Sequence, residues 1–238
     1  MIVIPDIHGR QFWRHAAQQW DGKEQIIFLG DYLDPYPDEN ISYEEALAGF
    51  QDIIQLKEEH PDEVTLLLGN HDLHYMDQDI SGTRYDVRHS REIERILMEN
   101  FDLFQMAYED VYGGKRYLFS HAGILSGWLQ VHDFLFGSIS PGELVSYLNM
   151  IWWTPDARRP FFNSLADVSY ARCGTRPFGS MVWADLMEHS KQHEEIPGYY
   201  QVFGHTKVKE PVITPYFACL DCQLSFQVSD ARPGFVTV

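Results

Sequence analysis

Five apolar runs, each ending in a short cluster of Asp, His or Asn, dictate what this chain can fold into. The runs are Met1–Pro5, Gln25–Leu29, Val64–Leu68, Tyr117–Ser120 and Tyr200–Phe203. The clusters that follow them are Asp6-Ile7-His8-Gly9, Gly30-Asp31-Tyr32-Leu33-Asp34, Gly69-Asn70-His71-Asp72, His121-Ala122-Gly123 and Gly204-His205-Thr206. An apolar run of about 4–8 residues bounded by turn formers reads as a buried strand. Polar side chains leaving several strand ends converge on one rim of a sheet, where sites form in open α/β folds.

The segments between the runs supply the helices. Residues 10–20 read as a short helix. Ser42-Tyr43-Glu44-Glu45 has the capping-box pattern, and Ala46, Leu47, Phe50, Ile53 and Ile54 behind it follow helical spacing as far as His60-Pro61. Residues 1–70 thus read strand, helix, strand, helix, strand, the start of a parallel sheet. The spacing of Ile93, Ile96, Leu97 and Phe101 predicts a further helix over 87–104. Gly113-Gly114, between Val111-Tyr112 and Tyr117-Leu118-Phe119, predicts a hairpin and hence antiparallel pairing. Residues 126–195 read as mostly helical and carry Trp128, Trp152, Trp153 and Trp183, as core of a helical layer or as the wall of a substrate groove. Strands return at Tyr199–Phe203, Phe217–Leu220, Leu224–Val228 and Phe235–Val238. No repeat, linker or low-complexity stretch interrupts the chain. Because the clusters run from residue 6 to residue 206, the expectation is a single domain over 1–238.

Charge narrows the partners. At 238 residues and a net charge of −17, the chain is a poor general binder of nucleic acid, which needs clustered Lys and Arg. Such a field also repels anionic substrates, so a phosphate ester would need local cations, which divalent metals provide. No basic leader precedes the first strand, and no apolar run approaches the roughly 18 residues of a membrane span. Three cysteines, Cys173, Cys219 and Cys222, outline no disulfide framework. The expectation is a cytoplasmic protein without a membrane partner. The Cys219-Leu220-Asp221-Cys222 spacing lacks the further soft ligands of a zinc site, so these read as ordinary thiols.

The clusters have the chemistry of a two-metal site. Asp6 and His8, two apart at a strand end, can point at one ion. Asp31 is a carboxylate able to bridge two. Asn70, His121 and His205 add neutral oxygen and nitrogen donors. A set without thiolate and rich in histidine suits Mn²⁺, Fe or Zn²⁺ rather than Cu(I) or Ca²⁺. Two ions about 3.5–4 Å apart can share a hydroxide, align it with a phosphorus and neutralise the transferring group. The departing alkoxide then needs a proton. His71 is placed to give it, and Asp34 to orient the imidazole.

Taken together, these motifs resemble the calcineurin-like metallophosphoesterases, over residues 1–210. The family pattern runs Gly-Asp-x-His, Gly-Asp-x-x-Asp, Gly-Asn-His-Asp/Glu, a lone histidine and Gly-His. The resemblance implies an α/β fold in which two mixed β-sheets pack as a sandwich flanked by helices, a four-layer α/β/β/α arrangement with a dinuclear site. It also implies one ion on Asp6, His8 and Asp31, and a second on Asp31, Asn70, His121 and His205. Lys207 stands where many branches place a second histidine. That absence, with Asp6-Ile7-His8-Gly9 and Gly30-Asp31-x-x-Asp34, is similar to the phosphoprotein phosphatase branch. Ile151-Trp152-Trp153-Thr154-Pro155-Asp156 and Arg172-Cys173-Gly174 with Phe178-Gly179 resemble later segments of the same branch. Two departures stand out. Pro5 opens the first motif where the branch has glycine, and Pro35-Tyr36 follow Asp34 where the branch has Arg-Gly. In the relatives that arginine grips phosphate. Arg172 is the first candidate to do so here, with Arg176 and Arg10 behind it, since a guanidinium offers a bidentate grip that lysine lacks.

The function this supports is a metal-dependent phosphoesterase hydrolysing phosphomonoesters through a hydroxide shared by two ions. Its partner is a phosphorylated protein or small molecule, with phosphoserine and phosphothreonine in proteins as one substrate class. The alternative is a nucleotide phosphohydrolase acting on dinucleoside polyphosphates. A non-catalytic scaffold on the same fold is the third reading, against which all six ligand positions and the acid are intact.

Overall fold

Three short strands rich in Val, Ile, Leu and Phe, Ile2–Ile4, Ile26–Phe28 and Val64–Leu67, are buried throughout, the usual condition of parallel strands covered on both faces. The computed structural model describes residues 1–80, 82–137, 139–191, 195–229 and 234–238. Two compact units are present, Met1–Gln105 with Gln223–Val238, and Met106–Cys222. Each carries one mixed sheet and its flanking helices.

In the first unit Ile2–Ile4, Ile26–Phe28 and Val64–Leu67 are parallel neighbours, with Ile26 opposite both Ile2 and Val64. Phe226–Ser229 adds antiparallel to Ile2–Ile4 and pairs in turn with Gly234–Thr237. The helix Tyr43–Glu59 begins as its sequence requires: the Glu45 amide donates to the Ser42 hydroxyl and the Ser42 amide donates to the Glu45 carboxylate at 2.9 Å. Such a cap contributes about 1 kcal/mol. The buried face of this helix, Ala46, Phe50, Ile53 and Ile54, includes Phe50 stacked on Tyr32 at 5.0 Å between centroids. The helix over 10–20 is shorter than expected, Trp13–Gln19, and buries Trp13 and Ala16.

The helix expected over 87–104 is also trimmed, to Ser90–Glu99. Asn100 folds its side-chain amide back onto the Ile96 carbonyl at 2.8 Å, a local bond that competes with helix continuation. A single 3₁₀ turn, Phe101–Leu103, follows. Phe104–Gln105 then pairs in parallel with Leu66–Leu67, so an apolar residue in helical register serves as an edge strand.

In the second unit Ala107–Tyr112 and Lys115–Ser120 form the hairpin. Gly113 and Gly114 take φ values of 55° and 75°, the left-handed pair that a two-residue type I′ turn demands. Lys115–Ser120, Tyr200–Phe203 and Phe217–Cys219 are parallel neighbours, and Val212–Ile213 closes the edge antiparallel. The expected helical region contains Ser126–Val131, Asp133–Phe136, Leu144–Trp153, Pro155–Leu165 and Leu186–Lys191, with a long irregular stretch from 166 to 185. Residues 138 and 192–194 of that region lie outside the described residues. Trp128 and Trp152 are fully buried, whereas Trp153 is 41% exposed, so the aromatic stretch is divided between core and surface. Asn149 ties its helix to the first strand, its Oδ1 accepting from Met106 and Ala107 amides and its Nδ2 donating to the Ala107 carbonyl. Among the described residues no helix is long and apolar enough to cross a membrane.

Candidate metal centre

Three parallel strand ends build a polar rim in the first unit. Asp6 and His8 follow Ile2–Ile4, Asp31 and Asp34 follow Ile26–Phe28, and Asn70 and His71 open a one-turn helix after Val64–Leu67. Ligand atoms of Asp6, His8 and Asp31 lie within 4.8 Å of one another, and all three residues are buried. Two carboxylates held side by side away from water need a balancing cation. His8 Nδ1 donates to the Leu33 carbonyl at 3.0 Å, which leaves Nε2 as the free lone pair, 3.5 Å from Asp31 Oδ2. Burial, with His71 and Arg84 nearby, holds the His8 imidazole well below its usual pKa, in the neutral form a ligand requires.

Asp72 organises this rim. Its carboxylate accepts the amides of Gly69 and Asp31 at 2.8 Å and of Tyr32 at 3.0 Å. The Asp31 carboxylate in turn accepts the His71 amide at 2.9 Å. Gly30 is needed where the two loops meet, since its φ is 103° and a Cβ there would stand 2.4 Å from the Gly69 nitrogen.

A second buried group, Asp34, His71 and His74, adjoins it. His71 Nδ1 and His74 Nε2 both lie 2.8 Å from Asp34 Oδ2, and the Tyr75 hydroxyl donates to Oδ1. Burial alone would raise the Asp34 pKa, but these bonds from His71, His74 and Tyr75 hold it below the ordinary range. An ionised Asp34 only accepts, so His71 carries its proton on Nδ1 and turns Nε2 outward. Burial lowers His71 to about 4, against the opposing pull of Asp34.

The second unit carries His121 and His205 at the ends of the parallel neighbours Lys115–Ser120 and Tyr200–Phe203. His121 Nε2 is 3.1 Å from His205 Nδ1, and the His121 carbonyl accepts the Gly204 amide at 2.8 Å. Trp183 sets its ring edge against His205 at 5.5 Å. The buried Cys219 thiol donates to the Gly204 and Thr206 carbonyls on either side of His205, which gives one of the C-x-x-C cysteines a plain structural use. The cysteines are free thiols.

Left-handed backbone marks the same places. Of eight non-glycine residues with positive φ among the described residues, four are His8, Asp31, Asp34 and His205, and a fifth is Arg84. That conformation costs roughly 1–2 kcal/mol per residue and gathers at functional sites.

The three arginines expected to grip phosphate are held differently. Arg10 makes a bidentate pair with Glu39, its Nε and Nη2 each 2.9 Å from a carboxylate oxygen. Arg176 pairs with Asp167 at 2.9 Å and is 62% exposed. Arg172 stands 3.2 Å from Asp185 while its Nη2 donates to the Thr206 hydroxyl at 2.8 Å, beside His205. A fourth arginine, not singled out by the motifs, stands among the site residues. Arg84 places Nη2 3.2 Å from His71 Nε2 and 3.3 Å from His8 Nε2, donates from Nε to the Asp34 carbonyl, and lies over the Tyr36 ring at 3.9 Å. Nothing in its sequence surroundings, a loop with no strand before it, distinguishes this arginine. His74 and Tyr75 are not singled out by the motifs either, although only Leu73 separates them from Gly69–Asp72.

The family model for calcineurin-like phosphoesterases matches residues 1–209. The chain belongs to the calcineurin-like phosphoesterase family. Members are metal-dependent phosphoesterases, and the grouped donors fit such ions: carboxylate oxygens and imidazoles, with no thiolate. Among solved structures, this phosphoesterase is similar to a cold-active protein-tyrosine phosphatase of a psychrophilic Shewanella species, with 15% identity and a TM-score of 0.54 over 99% of this chain and 79% of that one. A second structure, described as a cold-active protein tyrosine phosphatase, aligns with 14% identity and a TM-score of 0.56 over 99% and 77% of the two chains. A protein serine/threonine phosphatase from Saccharomyces cerevisiae aligns with 14% identity and a TM-score of 0.54 over 100% and 78%. At such identities the likeness establishes the fold. No curated protein sequence matches the chain.

Proposed function

We propose that this phosphoesterase hydrolyses phosphomonoesters at a dinuclear centre, with all of 1–238 acting as one catalytic domain. Asp6, His8 and Asp31 hold one ion; their mutual approach within 4.8 Å in a buried rim is the observation that carries the reading. Asn70, His121 and His205, with Asp31 shared, hold the other, on the strength of motif order and family membership. Bound there, Mn²⁺, Fe or Zn²⁺ would supply Lewis acidity and a nucleophilic water near neutral pH.

The chain's own groups do the rest. Asp34 accepts the Nδ1 proton of His71 and so aims Nε2 toward the reacting ester. A phosphate dianion beside His71 favours the imidazolium that burial alone suppresses, so substrate arrival charges the acid. His71 then gives its Nε2 proton to the leaving oxygen. Arg172 is favoured over Arg176 and Arg10 as a phosphate ligand, because it sits against the His205 loop while Arg10 is saturated by Glu39.

Serine or threonine phosphates in proteins are the substrate class we place first, and dinucleoside polyphosphates the alternative. His71→Asn tests the acid. It should keep its metals, lose roughly 100-fold on a phosphothreonine peptide and far less on nitrophenyl phosphate, whose leaving group needs little protonation. Equal losses on both substrates would count against His71.

A further inference from the structure

Arg84 is a half-buried guanidinium with no carboxylate partner among the described residues. Its contacts are unusual for a cation. Nη2 faces two imidazoles, at 3.2 Å from His71 Nε2 and 3.3 Å from His8 Nε2, and only the Asp34 carbonyl accepts from Nε, at 3.1 Å. Neither imidazole carries a negative charge, so neither balances the guanidinium. A guanidinium kept partly from water without a counter-ion is costly. The backbone adds to that cost, with Arg84 at φ 58° in the left-handed region. The Tyr36 ring fixes its plane from below, 3.9 Å from the guanidinium carbon. Arg84 also borders a cavity of about 370 Å³ that Asp34, Pro35, Tyr43 and Tyr85 help to line, so a small anion can reach it.

We propose that Arg84 is a phosphate-binding residue, whose fork grips phosphoryl oxygens between His8 and His71. The proposal rests on the phosphoesterase reading above. It gives the guanidinium its missing counter-ion, and the ester oxygen then lies within reach of His71 Nε2. Were His8 to hold an ion, an anion bound by the guanidinium would relieve the repulsion between the two cations. The residue comes from the loop 50 positions after Asp34 rather than from Pro35, which has no charge to offer.

The test is calorimetric binding of inorganic phosphate to Mn²⁺-loaded protein. Wild type, Arg84→Ala, Arg84→Lys and, as a control, the exposed Arg88→Ala would be compared, with bound Mn²⁺ measured in each. Expected is a 10- to 100-fold weaker phosphate affinity in Arg84→Ala, about the worth of one bidentate charged pair, at unchanged Mn²⁺ content. Arg84→Lys should recover only part of it, and Arg88→Ala should match wild type. Phosphate affinity in Arg84→Ala within twofold of wild type would overturn the proposal, as would a loss explained by lost Mn²⁺. Failure of the underlying reading shows separately, in wild-type protein that binds no Mn²⁺ and releases no phosphate from nitrophenyl phosphate.

Discussion

The two units solve the problem of a polar rim in different ways. In the first, carboxylates dominate: Asp6, Asp31, Asp34 and Asp72 are all buried, and Asp72 is spent on three backbone amides. In the second, the rim is two imidazoles in contact at 3.1 Å, backed by Cys219, Trp183 and an arginine already paired to Asp185. Costly buried carboxylates are thus concentrated in the first unit, and imidazole donors in the second. The buried carboxylates of the first unit call for a balancing cation, whereas the paired imidazoles of the second bring no negative charge.

Asp31→Asn should break the contrast most severely. It leaves the shape but removes the charge that draws the ions, so bound metal should fall below half of wild type and kcat/KM by about 1,000-fold or more. His205→Asn, in the second unit, should do less to metal content. Metal analysis of the two variants side by side checks the ordering, and equal losses would erase the distinction.

Asp72→Ala strips three amides of their acceptor in a place without room for easy repair. A destabilisation of about 3 kcal/mol is expected from unsatisfied buried donors, read as a lower midpoint in denaturant melts. A melt within error of wild type would mean that the rim holds itself without Asp72.

His189 sharpens the other side of the comparison. It is buried in the second unit, bonded to the Ala122 carbonyl and stacked on Phe203 at 4.4 Å. Burial lowers it from 6.5 to about 4. The unfolded chain therefore takes up a proton first, and this contribution is complete above pH 6.5 and lost as pH falls toward 4. At most it is of order 3 kcal/mol. His189→Gln should flatten that part of the acid limb in pH-dependent melts; identical slopes would show that His189 does not set it.

How far the sequence could be read follows from where each group sits. The six ligand positions, His71 and Asp34 all stand directly after apolar runs, so a strand-then-polar pattern exposes them. The Ser42 cap and the Gly113-Gly114 turn were legible because each residue type has one main backbone use. Phe104 was not, because its spacing fits the preceding helix and only pairing with Leu66 makes it a strand. Arg84 was invisible for a different reason: its place is set by tertiary contacts with Tyr36, His8 and His71, none near it in sequence. Arg10 shows the converse, a conspicuous residue beside the first motif whose guanidinium is taken up by Glu39.

The most direct test of the account is phosphate release after chelation and return of Mn²⁺, with bound metal counted per chain. Nitrophenyl phosphate, its diester analogue, a phosphothreonine peptide and a dinucleoside tetraphosphate would form the substrate panel. Chelation should abolish release, Mn²⁺ should restore it with two ions bound per chain, and a monoester should be the best substrate. Protein that stays folded, binds no metal and hydrolyses none of the four would contradict the account.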